Sequence, residues 1–308
     1  MSWVIKNILI LFTMLLLSAG IYSYKKVTIT KPASIVCTTT ILADACKSLI
    51  GDQVKVISLM GPGIDPHLYQ ARPSDVYNLK NAKVLVYHGL HLEGKITSLL
   101  EGLAHSHIVI DASKGCANDQ LRPAENMQLY DPHIWHDVTL WIQVINYISE
   151  TLITAFPDLA INIQENTVRY IKQLEELDRE ITDLMNLIPK NKRTLITAHD
   201  AFWYFGKRYG LEVIGLQGLS TDAGISVQDI EKIAHLIVTK NIPTIFVETS
   251  ITERSLKAVQ QAVIGLDSTV EFGKELYSDA LGTPSQRADT YISMMHHNSK
   301  AIAEGLMR

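Results

Sequence analysis

Two kinds of pattern alternate along the chain. Short runs rich in β-branched and apolar residues, Ser34–Thr39, Val54–Met60, Lys83–Tyr87 and His107–Ile110, read as strands. Between them, apolar residues recur at helical spacing in Ile41–Ile50, which stops at Gly51, in a segment from an N-cap at Ser74 to Asn81, and in Glu93–Leu103. A second series follows later. Its strands are Arg193–Ala198, Leu211–Leu216, Pro243–Val247 and Thr269–Phe272. Its helices follow His199 and cover Val227–Thr239, Glu253–Val263 and, at the close, Asp289–Leu306. Strands that alternate with helices pair in parallel. The pattern therefore predicts an α/β protein of two doubly wound lobes with parallel sheets.

Between the two series the period changes. After a loop from Asp111 to Tyr130, a helix is predicted over Val138–Phe156. Beyond Pro157, Val168, Ile171, Leu174, Leu177, Ile181, Leu184 and Ile188 step by three and four, with Glu175, Glu176, Asp178, Arg179 and Glu180 on the other face. Pro189 ends the run. A helix from Asp158 to Ile188 would be roughly 45 Å long at about 1.5 Å per residue. Such a helix is a rigid linker rather than part of a layer. The organisation expected is a first lobe over 33–157, a linker helix over 158–189 and a second lobe over 192–308.

Residues 1–24 stand apart. Lys6 precedes a charge-free run from Asn7 to Tyr24, with Ser18-Ala19-Gly20 as small residues near its end. This reads as an export signal, cleaved or kept as an N-terminal anchor. No cysteine follows the small residues, so a lipid anchor of the usual bacterial kind is not expected. The remainder, in a chain of 308 residues that is 47% hydrophobic and 19% charged, has the make-up of a globular protein. A net charge of −4 gives no electrostatic case for nucleic acid. Cys37, Cys46 and Cys116 lack metal-type spacing, and the first two fall at predicted core positions.

The chemistry lies in loops at predicted strand ends. Asp65-Pro66-His67 and Asp131-Pro132-His133 each set a histidine beside a residue of restricted backbone. His199 stands at the C-terminal edge of a strand, where open α/β sheets place their ligands. Asp279 lies in Ser278-Asp279-Ala280-Leu281-Gly282. Histidine and carboxylate together suit zinc, manganese and iron(II). Any one of these histidines alone reads as structural or solvated. His67, His133, His199 and Asp279 together, two before the linker and two after it, read as one metal site in the interlobe cleft. His136, His88 and His91 are rival donors, and Asp65, Asp131, Asp137 and Glu248 are candidate acceptors behind the histidines. Trp135, Phe202, Trp203 and Tyr204 read as packing between the lobes, and His296-His297-Asn298 as packing or support for the site.

At these residues the sequence resembles the TroA-like, or cluster 9, metal-binding receptors of bacterial ABC importers for zinc, manganese and iron(II). The matching stretches, in order, are Gly61 to Tyr69, Tyr87 to Glu93, Asp131 to Asp137, Thr197 to Phe202, Gly215 to Ser220 and Tyr277 to Gly282. The resemblance implies two α/β lobes on one long helix and a ligand set of His67, His133, His199 and Asp279. It further implies a periplasmic, monomeric receptor, not an enzyme, that passes one divalent metal ion to a permease and its ATPase. A closed shell of four protein ligands leaves no position for an activated water. The rival functions are a metal-dependent hydrolase on the same residues and a surface adhesin. Many manganese receptors of the family look to have Glu where this chain has His199, and zinc receptors often carry a His-rich loop where Asp111–Tyr130 has no histidine. The two departures point to different metals.

Overall fold

The computed structural model describes residues 34–124, 129–222 and 224–308, so the N-terminal segment 1–24 lies outside the described residues. The first half is a parallel sheet of β1 (Ser34–Cys37), β2 (Lys55–Ser58), β3 (Val84–Tyr87) and β4 (Ile108–Asp111) in the order β2-β1-β3-β4. Its helices are α1 (Thr40–Ile50), α2 (Pro73–Asn81) and α3 (Thr97–Leu103). Thr39 caps α1 through its hydroxyl, and Gly51 at φ 66° ends it.

Two helices differ from the periodic reading at their starts. Pro73, not Ser74, opens α2, and the Asp75 carboxylate accepts the Arg72 N–H at 2.7 Å. α3 begins at Thr97 rather than Glu93, because Gly89, Leu90 and His91 all have positive φ and carry the chain through a left-handed turn first. Gly89 is required there: a Cβ would stand 2.1 Å from Asp111 Oδ1.

α4 (Val138–Ala155) and α5 (Ala160–Asn186) follow, with a short 3-10 turn at Pro157–Leu159 between them. Asp137, expected behind a histidine, instead caps α4 by accepting the Thr139 and Leu140 N–H groups. α5 has 27 residues and buries Ile163, Thr167, Tyr170, Leu174, Leu177, Ile181 and Met185. Its stripe is turned from the predicted one at the N-terminal end, where Val168 is 67% exposed. Thr167 takes that core place because its hydroxyl pairs with Ser149 of α4 at 2.7 Å.

The second half contains β5 (Thr194–His199), β6 (Glu212–Gln217), β7 (Thr244–Ile245) and β8 (Glu271–Phe272), with α6 (Trp203–Tyr209), α7 (Val227–Lys240), α8 (Arg254–Ile264) and α9 (Tyr291–Leu306). β5 pairs with β6 and β7 with β8, both in parallel, and a parallel bridge between Thr197 and Phe246 joins the pairs. Pro243–Val247 yields only two strand residues.

One continuous core spans the first sheet, α1, α4, α5, α6 and α9, including Leu42, Trp141, Leu177, Phe205 and Ile302. A separate cluster with Ile196, Ile237, Ile245 and Val259 fills the space between the second sheet, α7 and α8. Cys37, Cys46 and Cys116 are buried and free, all three in the large core.

Candidate metal centre

Four loops deliver four side chains to one point. His67 comes from the turn after β2, His133 from the segment entering α4, His199 from the last position of β5 and Asp279 from the loop after β8. All four are buried, His67 the least so at 7% exposure. The Nε2 atoms of His67 and His199 each lie 3.3 Å from Nε2 of His133. Asp279 turns Oδ1 toward His133 Nε2 and Oδ2 toward His199 Nε2, each at 3.5 Å. One donor atom from each residue falls within 4.8 Å of every other.

These spacings are informative. A tetrahedron of donors about 2.05 Å from its centre has edges of about 3.3 Å, the nitrogen separation required for zinc. Three imidazole nitrogens aimed at one another repel as lone pairs and cannot all be satisfied by protons. Asp279 Oδ1 is buried and accepts no hydrogen bond. A buried carboxylate oxygen left in that state calls for a cation. Because Asp279 shows both oxygens to the histidines, the set can supply four donors or five.

Backbone and carboxylates hold the histidines from behind. His133 donates from Nδ1 to Asp131 Oδ1 at 2.7 Å, and the same oxygen accepts its backbone N–H at 3.0 Å. Glu248 accepts the His199 N–H at 2.9 Å, and its other oxygen lies 2.5 Å from His199 Nδ1 in a contact poorly aligned for a hydrogen bond. Asp65 Oδ1 accepts the His67 N–H at 2.8 Å. Gly215 on β6 lets the turn after His199 lie against the sheet, since a Cβ there would be 2.4 Å from Asp200 N.

The electrostatics favour a cation. Burial drives the His67 imidazole down to about 3, only partly offset by Asp279, so it is a neutral donor. Burial also opposes charge on His199, but the Glu248 and Asp279 carboxylates outweigh it and hold its pKa well above the ordinary value. Burial alone would raise the Asp279 pKa, yet the neighbouring histidines, His199 foremost, take it far below the usual carboxylate range.

The rival histidines are placed elsewhere. His88 is buried with Nε2 on Thr39 Oγ1 at 2.8 Å, against the ring of Trp135. His136 is buried against Phe202 and donates to Ser278 O at 3.1 Å. His91 is exposed. Trp135 and Asn298 are more than packing. Trp135 Nε1 donates to Ser278 O, while Asn298 pairs with both the N–H and the carbonyl of Tyr277. Both therefore fix the loop that carries Asp279. Arg122 and Thr221, which also touch the supporting carboxylates, stand in loops with no periodic or motif signal.

Known proteins are similar to this chain along almost its whole length. The family model described as zinc-uptake complex component A, periplasmic (ZnuA), matches residues 35–305. The manganese-binding lipoprotein MntA of Bacillus subtilis is 39% identical over 272 residues, 88% of this chain and 89% of that protein. The solved structure of the periplasmic zinc-binding protein TroA from Treponema pallidum superposes with a TM-score of 0.87 at 37% identity, covering 90% of this chain and 99% of that one. Fe(III)-bound YtgA from Chlamydia trachomatis superposes with a TM-score of 0.81 at 28% identity, covering 89% and 98%. The chain belongs to the ZnuA/TroA family, the metal-binding substrate-binding proteins of ABC transporters, which are binding proteins and not enzymes.

Proposed function

We propose that His67, His133, His199 and Asp279 are the complete protein shell of one divalent transition metal ion, and that this ion is the cargo. The protein is then the extracytoplasmic receptor of a manganese or zinc importer, which hands the ion to a membrane permease driven by its ATPase. The observation that carries this reading is the convergence of three buried Nε2 atoms and an unpartnered Asp279 oxygen on one point. A nitrogen-rich set favours zinc over manganese in raw affinity. The second Asp279 oxygen adds the extra ligand that manganese or iron would use. The relatives named above are described with manganese, zinc and iron(III).

The same reading assigns residues 33–157 and 192–308 to two metal-bearing lobes and 158–189 to the linker helix. It makes 1–24 the segment that exports the chain or tethers it to the membrane, and the receptor works as a monomer. Metal analysis of protein purified from its own export compartment should give one equivalent of manganese, zinc or iron. X-ray absorption on that protein should count three nitrogen and one or two oxygen neighbours. Protein that takes up no metal, or a shell that includes His88 or His136, would refute the assignment.

A further inference from the structure

The carboxylates behind His133 and His199 are held differently. Asp131 is fully buried, and while its Oδ1 serves His133, its Oδ2 lies 3.2 Å from Arg122 Nη1. The other end of the same guanidinium, Nη2, lies 2.8 Å from Asp200 Oδ2. Asp200 directly follows His199. One planar cation thus grips a carboxylate from each half of the molecule, each adjoining a different histidine of the centre. Glu248 has no such cation among its described contacts.

The surrounding structure fixes this grip. Arg122 and Asp131 face each other across a ribbon, where the Asp131 N–H donates to Arg122 O at 2.9 Å beside the Pro123–Tyr130 bridge. From the second half, Tyr204 Oη accepts the Arg122 N–H at 3.0 Å and donates to Asp131 O at 3.0 Å. The Trp203 ring lies 5.2 Å from the guanidinium carbon. Asp200, Trp203 and Tyr204 all belong to the segment that His199 opens.

We infer that Arg122 is a positioning residue that sets how long the metal is retained, by holding Asp131 onto His133 and tying the His199 segment to the first half. The inference rests on the metal reading above. A buried carboxylate whose cation is removed is no longer held in place and drifts toward solvent. His133 then loses the acceptor that orients its ring. Freed from Asp200, the turn beyond His199 loses its direct charge link to the first half. Arginine suits the task because its fork reaches two carboxylates at once, which a lysine ammonium cannot do with the same geometry.

The test is the rate at which zinc and manganese leave the full-length exported protein into excess chelator. Arg122→Ala should speed release by about tenfold or more, the scale of losing a supporting group behind a ligand. Asp200→Asn leaves the His133–Asp131 pair intact and should speed it several-fold. Arg122→Lys should fall between wild type and Arg122→Ala. The double variant Arg122→Ala/Asp200→Asn should release no faster than Arg122→Ala alone, since both substitutions break one link. Val259→Ala, in the separate second core, controls for lost stability and should release at the wild-type rate. Wild-type release in both Arg122→Ala and Asp200→Asn would overturn the inference, as would equal acceleration in Val259→Ala. If Arg122→Ala does not fold, Asp200→Asn decides alone. Wild-type protein that takes up neither metal is a different failure, that of the site reading itself.

Discussion

The loop that carries Asp279 and the loop that carries His67 present donors to the same point on very different mountings. Ser278 O accepts from Trp135 Nε1 at 2.8 Å and from His136 Nε2 at 3.1 Å. Tyr277 is paired at both backbone groups with Asn298 of α9, and Leu281 N donates to Thr40 Oγ1 at 2.8 Å. The His67 loop has a lighter hold. Asp65 accepts the His67 N–H, and its other oxygen accepts from Thr221 Oγ1 at 2.5 Å. His67 also borders a cavity of about 500 Å³ that opens between Arg122, Asp200 and Leu219. The order of the sequence therefore misleads about mechanics. Asp279 follows the long helix but is fastened to Thr40, Trp135 and His136, which precede it. His67 precedes the helix, and its supporting carboxylate is tethered to Thr221, which follows it. Asp279 belongs mechanically to the rigid frame, and the His67 side is where an ion has room to come and go.

The largest effect should come from the residue between these extremes. His199→Ala removes a fully buried donor and leaves Glu248 and Asp279 facing each other without the imidazole between them. Losing a donor to the ion should cost more than the 10- to 100-fold typical of a supporting partner behind a ligand, so metal affinity should fall by more than about 100-fold. Because the walls of the vacated space are polar and can hold water, the metal-free protein should still melt cooperatively. Calorimetric titration beside thermal melts checks both statements. Unchanged affinity, or a metal-free protein that no longer folds, would remove His199 from the ligand set.

The comparison itself is tested by loosening each mounting in turn. Asn298→Ala leaves the buried Tyr277 N–H and carbonyl unpaired. Its effect should be a 10- to 100-fold loss of affinity, as for other supporting partners of ligands. Thr221→Val takes one hydrogen bond from the His67 loop, worth about 0.5–1.5 kcal/mol, and should change affinity by less while speeding both binding and release. If Thr221→Val proves the more damaging of the two, the assignment of frame and gate is reversed.

Much of this was legible in the sequence, and the limits are physical. The alternation of strand and helix foretold the parallel pairing in both halves, because backbone pairing follows local pattern. His67, His133, His199 and Asp279 stood out because each is a metal-type side chain at a strand-end loop. Asp131 and Glu248 were reachable as acceptors by the general need of a ring nitrogen for a partner. Asp137 was misplaced because an aspartate before a helix serves equally well as a cap, and only the position of α4 decides. Arg122 carried no signal, since its two carboxylates are brought to it by folding from 9 residues away and from the far side of the long helix. The shift at Val168 has the same origin: Thr167 is polar by composition and becomes a core residue only through Ser149.

The frame contains a titrating group of its own. Glu93 is buried beneath the Thr38–Thr40 segment, accepting from Thr38 Oγ1 at 2.6 Å and the His88 N–H at 2.8 Å. Burial outweighs these hydrogen bonds and pushes its carboxyl up to about 7, from an ordinary 4.5. Between those values the folded protein keeps a proton that the unfolded chain has lost. Stability from this residue is thus full below about pH 4.5, declines as pH rises toward 7 and levels off above it, by about 3 kcal/mol in all. Asp44, raised to about 6 by burial, adds to the same slope. Denaturant melts of wild type and Glu93→Gln from pH 5 to 8 should show a shallower decline in the variant. A decline just as steep in Glu93→Gln would assign the slope to other groups.

The smallest expected effect concerns the long helix. If Asp279 and His133 share one frame, binding should rearrange the His67 side and the turn after His199 while leaving α5 straight. α5 has 27 residues with no glycine or proline, and it buries residues along its whole length between α1, α4 and α9. Hinges are a few loop or terminal residues that absorb large φ/ψ changes. A continuous helix can bend sharply only by breaking several backbone hydrogen bonds, each worth about 0.5–1.5 kcal/mol net, and by unpacking its buried face. The large core runs from the first half through α5 into α6 and α9, so a wide swing of the second half would also tear Phe205 and Ile302 from their neighbours. The small second core, with α7 and α8, is what remains free to tilt. Small-angle scattering of metal-free and metal-loaded protein should therefore give radii of gyration within about 1 Å of each other, as local loop reordering without hinge closure requires. A contraction of several ångströms would make the long helix a hinge and dissolve the distinction between frame and gate.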